Sequence, residues 1–127
     1  MNSIELYIMF HLKYAGVEYA KMISKMTGLE LNEVNNAIKN LISYGLVERD
    51  EGKAIKRKNA RFKKAKEVHK HHSYYKLTEK GKIMLRSIDE EWINKNLNLN
   101  GMPKKFMRAF NYFIEKHIGK SFKINKH

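Results

Sequence analysis

The chain of 127 residues contains no cysteine and a single proline. Without cysteine it can form no disulfide, thiolate nucleophile or cysteine-ligated zinc or iron–sulfur site. No stretch approaches the roughly eighteen uncharged apolar residues that a transmembrane helix needs. The start, MNSIELYIMF, has no basic stretch followed by an apolar run and a small-residue cleavage site, so it does not resemble a signal peptide. We therefore expect a cytoplasmic protein without a membrane partner.

The sequence also lacks the residue patterns of common enzymes. It has no Ser/His/Asp order, no glycine-rich loop that would cradle a phosphate and no paired carboxylates in an apolar setting. The adjacent Glu90 and Glu91 lie on a predicted helix with lysines nearby, which is typical of a solvated face. We expect neither enzymatic activity nor a cofactor.

Positive charge is abundant but confined to part of the chain. The net charge of +13 arises from 26 Lys/Arg and 13 Asp/Glu. Residues 1–52 carry five Lys/Arg against seven Asp/Glu, whereas residues 53–82 carry twelve against two. Such a dense basic block attracts a polyanion, such as DNA, RNA or an anionic membrane.

Three short amphipathic helices are predicted before the basic block. Apolar residues recur at helical spacing over Ser3–Tyr14, Glu18–Met26 and Asn32–Tyr44, and each helix is expected to pack through one face. Glu30 or Asn32 could cap the third helix, and Gly45 stands where a left-handed residue would end it. None is long enough to be stable alone, so the three must share a core.

Two short strands are predicted to flank the basic block. LVERD alternates apolar and polar residues, and SYYKLT places Tyr75 and Leu77 on one face and Tyr74 on the other. Between the strands, residues 53–72 fit neither periodicity, which favours an extended hairpin with a basic tip. A short helix near Arg61–Val68 is an open alternative.

Helical periodicity returns after Thr78. A helix is predicted to run to about Asn96, and after LNLNG another begins near Pro103 and ends at Gly119. We expect a domain over residues 1–82, C-terminal helices over 83–118 and a basic tail over 119–127. The C-terminal helices are expected to form a homodimer through their apolar residues, namely Leu85, Ile88, Trp92, Phe106, Phe110 and Phe113.

Three closely spaced histidines, His69, His71 and His72, raise the question of a metal site. In a strand His69 and His71 would share one face and His72 would oppose them, and nine Lys/Arg between residues 53 and 70 would repel a divalent cation. We expect no metal site and interpret the histidines as phosphate or solvent contacts that become charged near or below pH 6.5.

The order helix, helix, helix, strand, basic loop, strand, helix resembles a winged helix-turn-helix domain. TGLELNEVNNAIKNLISYGLVERD resembles the stretch that contains the recognition helix, and YYKLTEKGK resembles the strand-to-helix segment that follows the wing in MarR-like and PadR-like regulators. The longer AIKRKNARFKKAKEVHKHHSYYKLT is similar to a largely uncharacterised archaeal winged-helix family. The implied fold is mainly α with a small β-hairpin, with a long basic wing at about residues 46–77 and a C-terminal helical extension.

The resemblance implies a regulator that binds double-stranded DNA, with its third helix in the major groove and its wing on the phosphate backbone. The implied recognition residues, which lie on the helix face away from the core together with Glu33, are Asn32, Asn35, Asn36, Lys39, Asn40 and Ser43. The implied wing contacts are Lys53, Lys56, Arg57, Lys58, Arg61, Lys63, Lys64 and Lys66, with the three histidines.

Two departures from the pattern keep a second function open. The predicted wing is longer than a usual β-turn, and the third helix has one lysine offset by Glu33 where typical readers have an arginine or two. Most of the binding energy would then come from the wing. An RNA-binding or ribosome-associated winged-helix protein is the alternative, since a small protein of pI about 9.9 with a long basic loop suits structured RNA equally well.

Overall fold

A computed structural model describes residues 1–50 and 72–121 of the chain. Within these ranges it is mainly helical, as predicted, with a small three-stranded antiparallel sheet. The helices are α1 (Ser3–Ala15), α2 (Ala20–Thr27), α3 (Leu31–Ser43), α4 (Glu79–Arg86), α5 (Glu90–Asn96) and α6 (Lys104–Ile118). The strands are β1 (Glu18–Tyr19), β2 (Val47–Arg49) and β3 (Tyr74–Leu77). This order is compatible with a winged helix.

The sheet has the strand order β1-β3-β2, and both pairs are antiparallel. Val47 lies opposite Leu77 and Arg49 opposite Tyr75, so β2 and β3 are the two arms of a hairpin, as predicted. The third strand, β1, was not predicted. Its two residues, Glu18 and Tyr19, were assigned to the second helix because a strand this short leaves no alternation to detect.

The core is built around α1. Its side chains from Leu6 to Leu12 are almost wholly buried, because α3, α4, α6 and β3 surround it. The prediction that this helix packs through one face is therefore wrong. An apolar stripe indicates a core-facing side, but Met9 and His11 lie outside the regular spacing and are buried by elements distant in sequence.

The second and third helices form a helix-turn-helix unit. Gly28 follows α2 in a left-handed conformation, with φ of 74°, and α3 begins at Leu31. Within the turn, the Ser24 hydroxyl donates to the Leu29 carbonyl at 2.6 Å, and the Thr27 hydroxyl oxygen accepts from the Leu29 amide at 3.2 Å. Glu30, one of the two predicted candidates, is the N-cap of α3, and Gly45 follows the helix with φ of 75°, as predicted.

Thr78 and Gly81, in the segment YYKLTEKGK, join the sheet to α4. Thr78 caps α4: its hydroxyl oxygen accepts from the Gly81 amide at 3.0 Å, and the same hydroxyl donates to the Gly45 carbonyl at 2.6 Å. A Cβ at Gly81 would collide with the Leu46 carbonyl oxygen. The glycine therefore allows the first turn of α4 to lie directly on the chain between α3 and β2.

The region after Thr78 differs from its prediction in two respects. The single helix expected to run to Asn96 is two helices, because α4 ends at Arg86 and Asp89 caps a new helix by accepting from the Trp92 amide at 2.8 Å. In addition, α6 packs against α1 and α2, and its buried residues belong to the same core as those of α1 and α3. The boundary expected at residue 82 therefore does not separate two cores.

Among the helices in the described ranges, none has both the length and the apolar character needed to cross a membrane.

Candidate nucleic-acid interface

The outward face of α3 is polar and continuous. The opposite face, formed by Val34, Ala37, Ile38 and Leu41, is buried against the core. This orientation exposes every residue that the sequence assigned to recognition, namely Asn32, Asn35, Asn36, Lys39, Asn40 and Ser43. The amphipathic spacing of α3 thus gives a face about three turns long whose side chains are amides, a hydroxyl, one ammonium and the Glu33 carboxylate.

Two of these side chains already have partners. The Asn40 amide donates to Glu5 Oε2 at 2.9 Å, which ties α3 to the start of α1, and the Ser43 hydroxyl donates to the Asn40 carbonyl at 2.7 Å. Glu5 is itself buried and also accepts from the Asn2 amide. The Asn35 and Asn36 side chains form no hydrogen bond with any residue the structure describes. These two amides are therefore available to a ligand.

The two ends of the predicted wing lie side by side at β2 and β3. Asp50 follows β2, its amide donates to the Tyr74 carbonyl at 2.7 Å, and Lys76 Nζ lies 3.6 Å from its carboxylate. The predicted wing contacts from Lys53 to Lys66, with His69 and His71, fall outside the described residues. The same holds for the possible helix at Arg61–Val68 and for most of the tail at 119–127.

His72 is the one predicted wing histidine within the described ranges. Its ring stacks on Tyr19, with centroids 4.0 Å apart and planes at 19°. Tyr19 also packs against Tyr74, which is 2% exposed. One ring of the Tyr74–Tyr75 pair therefore lies in a small core on one side of β3, while Tyr75 and Leu77 face the main core, as the strand alternation predicted.

A second group of cations lies beside the turn between α2 and α3. Lys105 Nζ donates to the Lys25 carbonyl at 2.7 Å, and the backbone of Gly28 faces Pro103 and Lys105. Lys21, Lys104 and Arg108 are exposed on the same two helices. No local pattern indicates this contact, because it joins residues 80 positions apart and the sequence favours a dimerisation role for α6.

Most of the residues predicted to form a dimer interface are buried within the chain. Leu85, Ile88, Phe106 and Phe110 are at most 3% exposed and belong to the main core. Trp92 and Phe113 are partly exposed and pack against it. A partner that contacts the C-terminal helices in this conformation would therefore meet Trp92, Phe113 and the exposed Ile83 and Tyr112 rather than the four buried residues.

A buried polar group inside α1 was not predicted. His11 Nε2 lies 2.9 Å from Glu18 Oε1, and His11 Nδ1 lies 3.1 Å from the Tyr7 hydroxyl. Burial, with the nearby Glu18 charge, raises the pKa of Tyr7 above its usual range, so its hydroxyl stays protonated. Because His11 and Glu18 are each 2% exposed, a substrate has no access to them. The arrangement links α1 to β1.

Metal ligation finds no support in the part of the chain that the structure describes. No group of three or more His, Asp or Glu side chains within residues 1–50 and 72–121 is arranged to hold an ion.

Comparison with known proteins gives one match. The model of a family described as an uncharacterised protein conserved in archaea (DUF2250) matches residues 1–88. This range ends just after α4 and covers the helix-turn-helix unit and the sheet. Neither the curated proteins nor the solved structures contain a match to the chain.

Proposed function

The chain belongs to this family conserved in archaea, and we propose that it is a transcriptional regulator that binds double-stranded DNA. In this proposal α3 lies in the major groove, and the Lys/Arg-rich segment between β2 and β3 lies along the phosphate backbone. The finer assignment to a winged helix of the MarR-like or PadR-like kind is part of the same proposal. It rests on the order of elements and on the roles of Thr78 and Gly81 in joining the sheet to α4.

The observation that carries the proposal is the exposed polar face of α3. A helix that follows a short turn and is held by one apolar face leaves its other face free to enter a groove. Asparagine amides can donate and accept at adenine N6 and N7 in a bidentate manner, and Lys39 can reach a guanine or a phosphate. Asn35 and Asn36, exposed and without a described partner, suit the first of these roles.

Charge supplies the second support. Residues 53–82 carry a net +10, and most of these cations belong to the part of the chain that joins the paired strands β2 and β3. The Lys105 side chain, which lies beside Gly28, adds positive charge next to the turn that precedes α3. Neutralising phosphates with such groups releases counterions, which gives affinity without requiring many base contacts.

The experiment that tests this function is selection of bound duplexes from a random DNA library, followed by affinity measurements on variants. We expect a preferred sequence to emerge, and we expect Asn35→Ala or Asn36→Ala to relax the preference at one position. The loss should be about 1–3 kcal/mol per bidentate contact. Asn96→Ala, which removes an exposed asparagine of α5, is the matched control and should leave the preference unchanged. No enrichment of any sequence, or equal effects of all three variants, would contradict base reading by α3.

RNA binding is the second candidate, and a described surface favours it. The Tyr14 and Phe113 rings stack at 5.5 Å with planes 4° apart, and Lys116 Nζ lies 5.3 Å from the Tyr14 ring and 5.2 Å from that of Tyr112. Tyr112 is 55% exposed. Aromatic faces beside cations suit unstacked bases, which are common in structured RNA and absent from an intact duplex.

A further inference from the structure

A pocket lies between the end of α1, β3 and α4, apart from the exposed face of α3. Its volume is about 360 Å³, within the range of small-molecule sites. The apolar part of its wall comes from Leu12, Leu77 and Leu85, each at most 6% exposed. Among the lining residues that the structure describes, none is aromatic and none carries a carboxylate. The wall therefore offers an aliphatic surface.

Four cations surround this apolar wall. Lys13, Lys76, Lys82 and Arg86 all line the pocket. Three have partners: Lys13 is 3.2 Å from His117 Nδ1, Lys76 is 3.6 Å from Asp50, and Lys82 is 3.3 Å from Glu79. Lys76 and Lys82 keep 43% and 52% of their side-chain surface exposed, so both partners compete with water.

Arg86 differs from the three lysines. It lies in the last turn of α4 and forms no ion pair or hydrogen bond with any described residue. A guanidinium offers a planar fork of donors that matches a carboxylate through two parallel hydrogen bonds. Four like charges around one cavity also raise the local positive potential and so the local concentration of anions.

We propose that this pocket binds a small aliphatic carboxylate. The hydrocarbon chain of the ligand lies on the three leucines, and its carboxylate lies at the cationic rim with Arg86 as the principal partner. A bare phosphate or acetate would satisfy the cations but leave the leucines without contact, and a neutral hydrocarbon would leave the cations without a counter-charge. The combination of the two surfaces defines the ligand class.

The position of Lys76 connects this site to the sheet. Its partner Asp50 is the residue that directly follows β2. A ligand carboxylate that attracts Lys76 therefore competes with Asp50 at the point where the chain leaves β2. Ligand binding would then change DNA affinity, a consequence that rests on the function proposed above. The binding itself does not depend on that function.

The test is a titration of the full chain, without nucleic acid, followed by the NMR signals of the leucine methyl groups. The probes are hexanoate, 1-hexanol, acetate and inorganic phosphate. We expect hexanoate to shift the methyl signals of Leu12, Leu77 and Leu85 and to bind at least about tenfold more tightly than each of the other three. This preference corresponds to the usual strength of charge-assisted hydrogen bonds together with buried methylene groups.

Two arginine variants locate the carboxylate. Arg86→Gln should weaken hexanoate binding about tenfold and leave 1-hexanol binding unchanged, whereas Arg108→Gln, which removes an exposed arginine of α6, should change neither. The proposal is overturned if hexanoate does not bind at millimolar concentration, if the alcohol or phosphate binds as tightly, or if both variants weaken hexanoate equally. Because the titration contains no DNA, an absence of hexanoate binding would not contradict the proposed regulatory function. Likewise, an absence of DNA binding would not contradict binding of the carboxylate.

Discussion

Glu18 is a buried carboxylate whose oxygens both have partners. Oε1 lies 2.9 Å from His11 Nε2, and Oε2 accepts from the Tyr19 amide at 3.2 Å. Through these contacts the residue joins the middle of α1 to β1, and Tyr19 carries the connection to the His72 ring. Only six residues, among them Gly16, separate His11 from Glu18 in the sequence, yet no local pattern indicates that the two side chains meet.

We expect Glu18→Ala to lower the free energy of unfolding by about 1–3 kcal/mol, because it leaves Nε2 of the buried His11 without its hydrogen-bond partner. Chemical denaturation followed by circular dichroism measures this loss. Glu48→Ala removes an exposed glutamate from β2 and should change stability by no more than about 0.5 kcal/mol. If the two variants were equally stable, the buried pair would have no structural role.

His117 should make stability depend on pH. Burial lowers the pKa of His117 below its usual 6.5, opposed by the Ile88 carbonyl at 2.6 Å from Nε2 and reinforced by the Lys13 charge. The Nε2–H donates to Ile88, so Nδ1 is left to accept from Lys13, and protonation there would place two cations 3.2 Å apart. The folded state therefore binds this proton less readily than the unfolded state.

The contribution of the neutral His117 to the free energy of unfolding is fully present above pH 6.5. It is lost as the pH falls through the lowered pKa of His117 in the folded state. Melting temperatures measured between pH 7.5 and 5 should decline, and His117→Gln should reduce that decline. His72→Gln, at the other partly buried histidine described, serves as the control. A decline of the same size in the His117 variant would show that other groups cause it.

At the scale of elements, local chemistry determines where helices begin and end. The caps at Glu30 and Gly45 could be predicted, because a capping residue and a left-handed glycine act within a few positions of the chain. The break between α4 and α5 could not be predicted, because the apolar residues on both sides of it keep an unbroken helical spacing. These residues are Met84, Leu85, Ile88 and Trp92. The Asp89 cap overrides that spacing.

Gly81 is the position in α4 where a single methyl group should matter most. In Gly81→Ala the new Cβ meets the Leu46 carbonyl, so α4 must move away from the chain before β2. We expect a loss of about 1–3 kcal/mol, as for other overpacked sites, although alanine is the better helix former. Ile83→Ala, two residues on and 60% exposed, should cost less than about 0.5 kcal/mol. A Gly81 variant at least as stable as the parent protein would refute this close contact.

At the scale of the whole molecule, long-range packing was the least predictable feature. The apolar faces of α1 and α6 were both recognised, but periodicity cannot say that they face each other within one chain. Tyr7 packs against Phe106, Phe110 and Phe113, at centroid distances from 5.3 to 5.8 Å. The candidate site shows the same contrast. The exposed face of α3 was predicted residue by residue, whereas the cations of α6 beside Gly28 and the pocket behind β3 were not.

The homodimer stays a prediction at this scale. Since four of the six residues assigned to its interface lie inside the chain, a dimer would use the exposed rings and aliphatic groups of the C-terminal helices. Light scattering at high micromolar concentration should give twice the chain mass of 15.1 kDa. We expect Tyr112→Ser to lower that mass without unfolding the protein, because Tyr112 is 55% exposed. A monomer mass for the parent protein would rule out the dimer.

The central claim, binding of duplex DNA through a basic surface, is tested most directly by the anisotropy of a labelled duplex between 50 and 200 mM salt. Unlabelled duplex DNA and structured RNA serve as competitors. We predict that duplex DNA competes more strongly and that about six phosphate contacts give a log–log salt slope near −5. A binding constant that barely changes over this range, or stronger competition by RNA, would contradict the account.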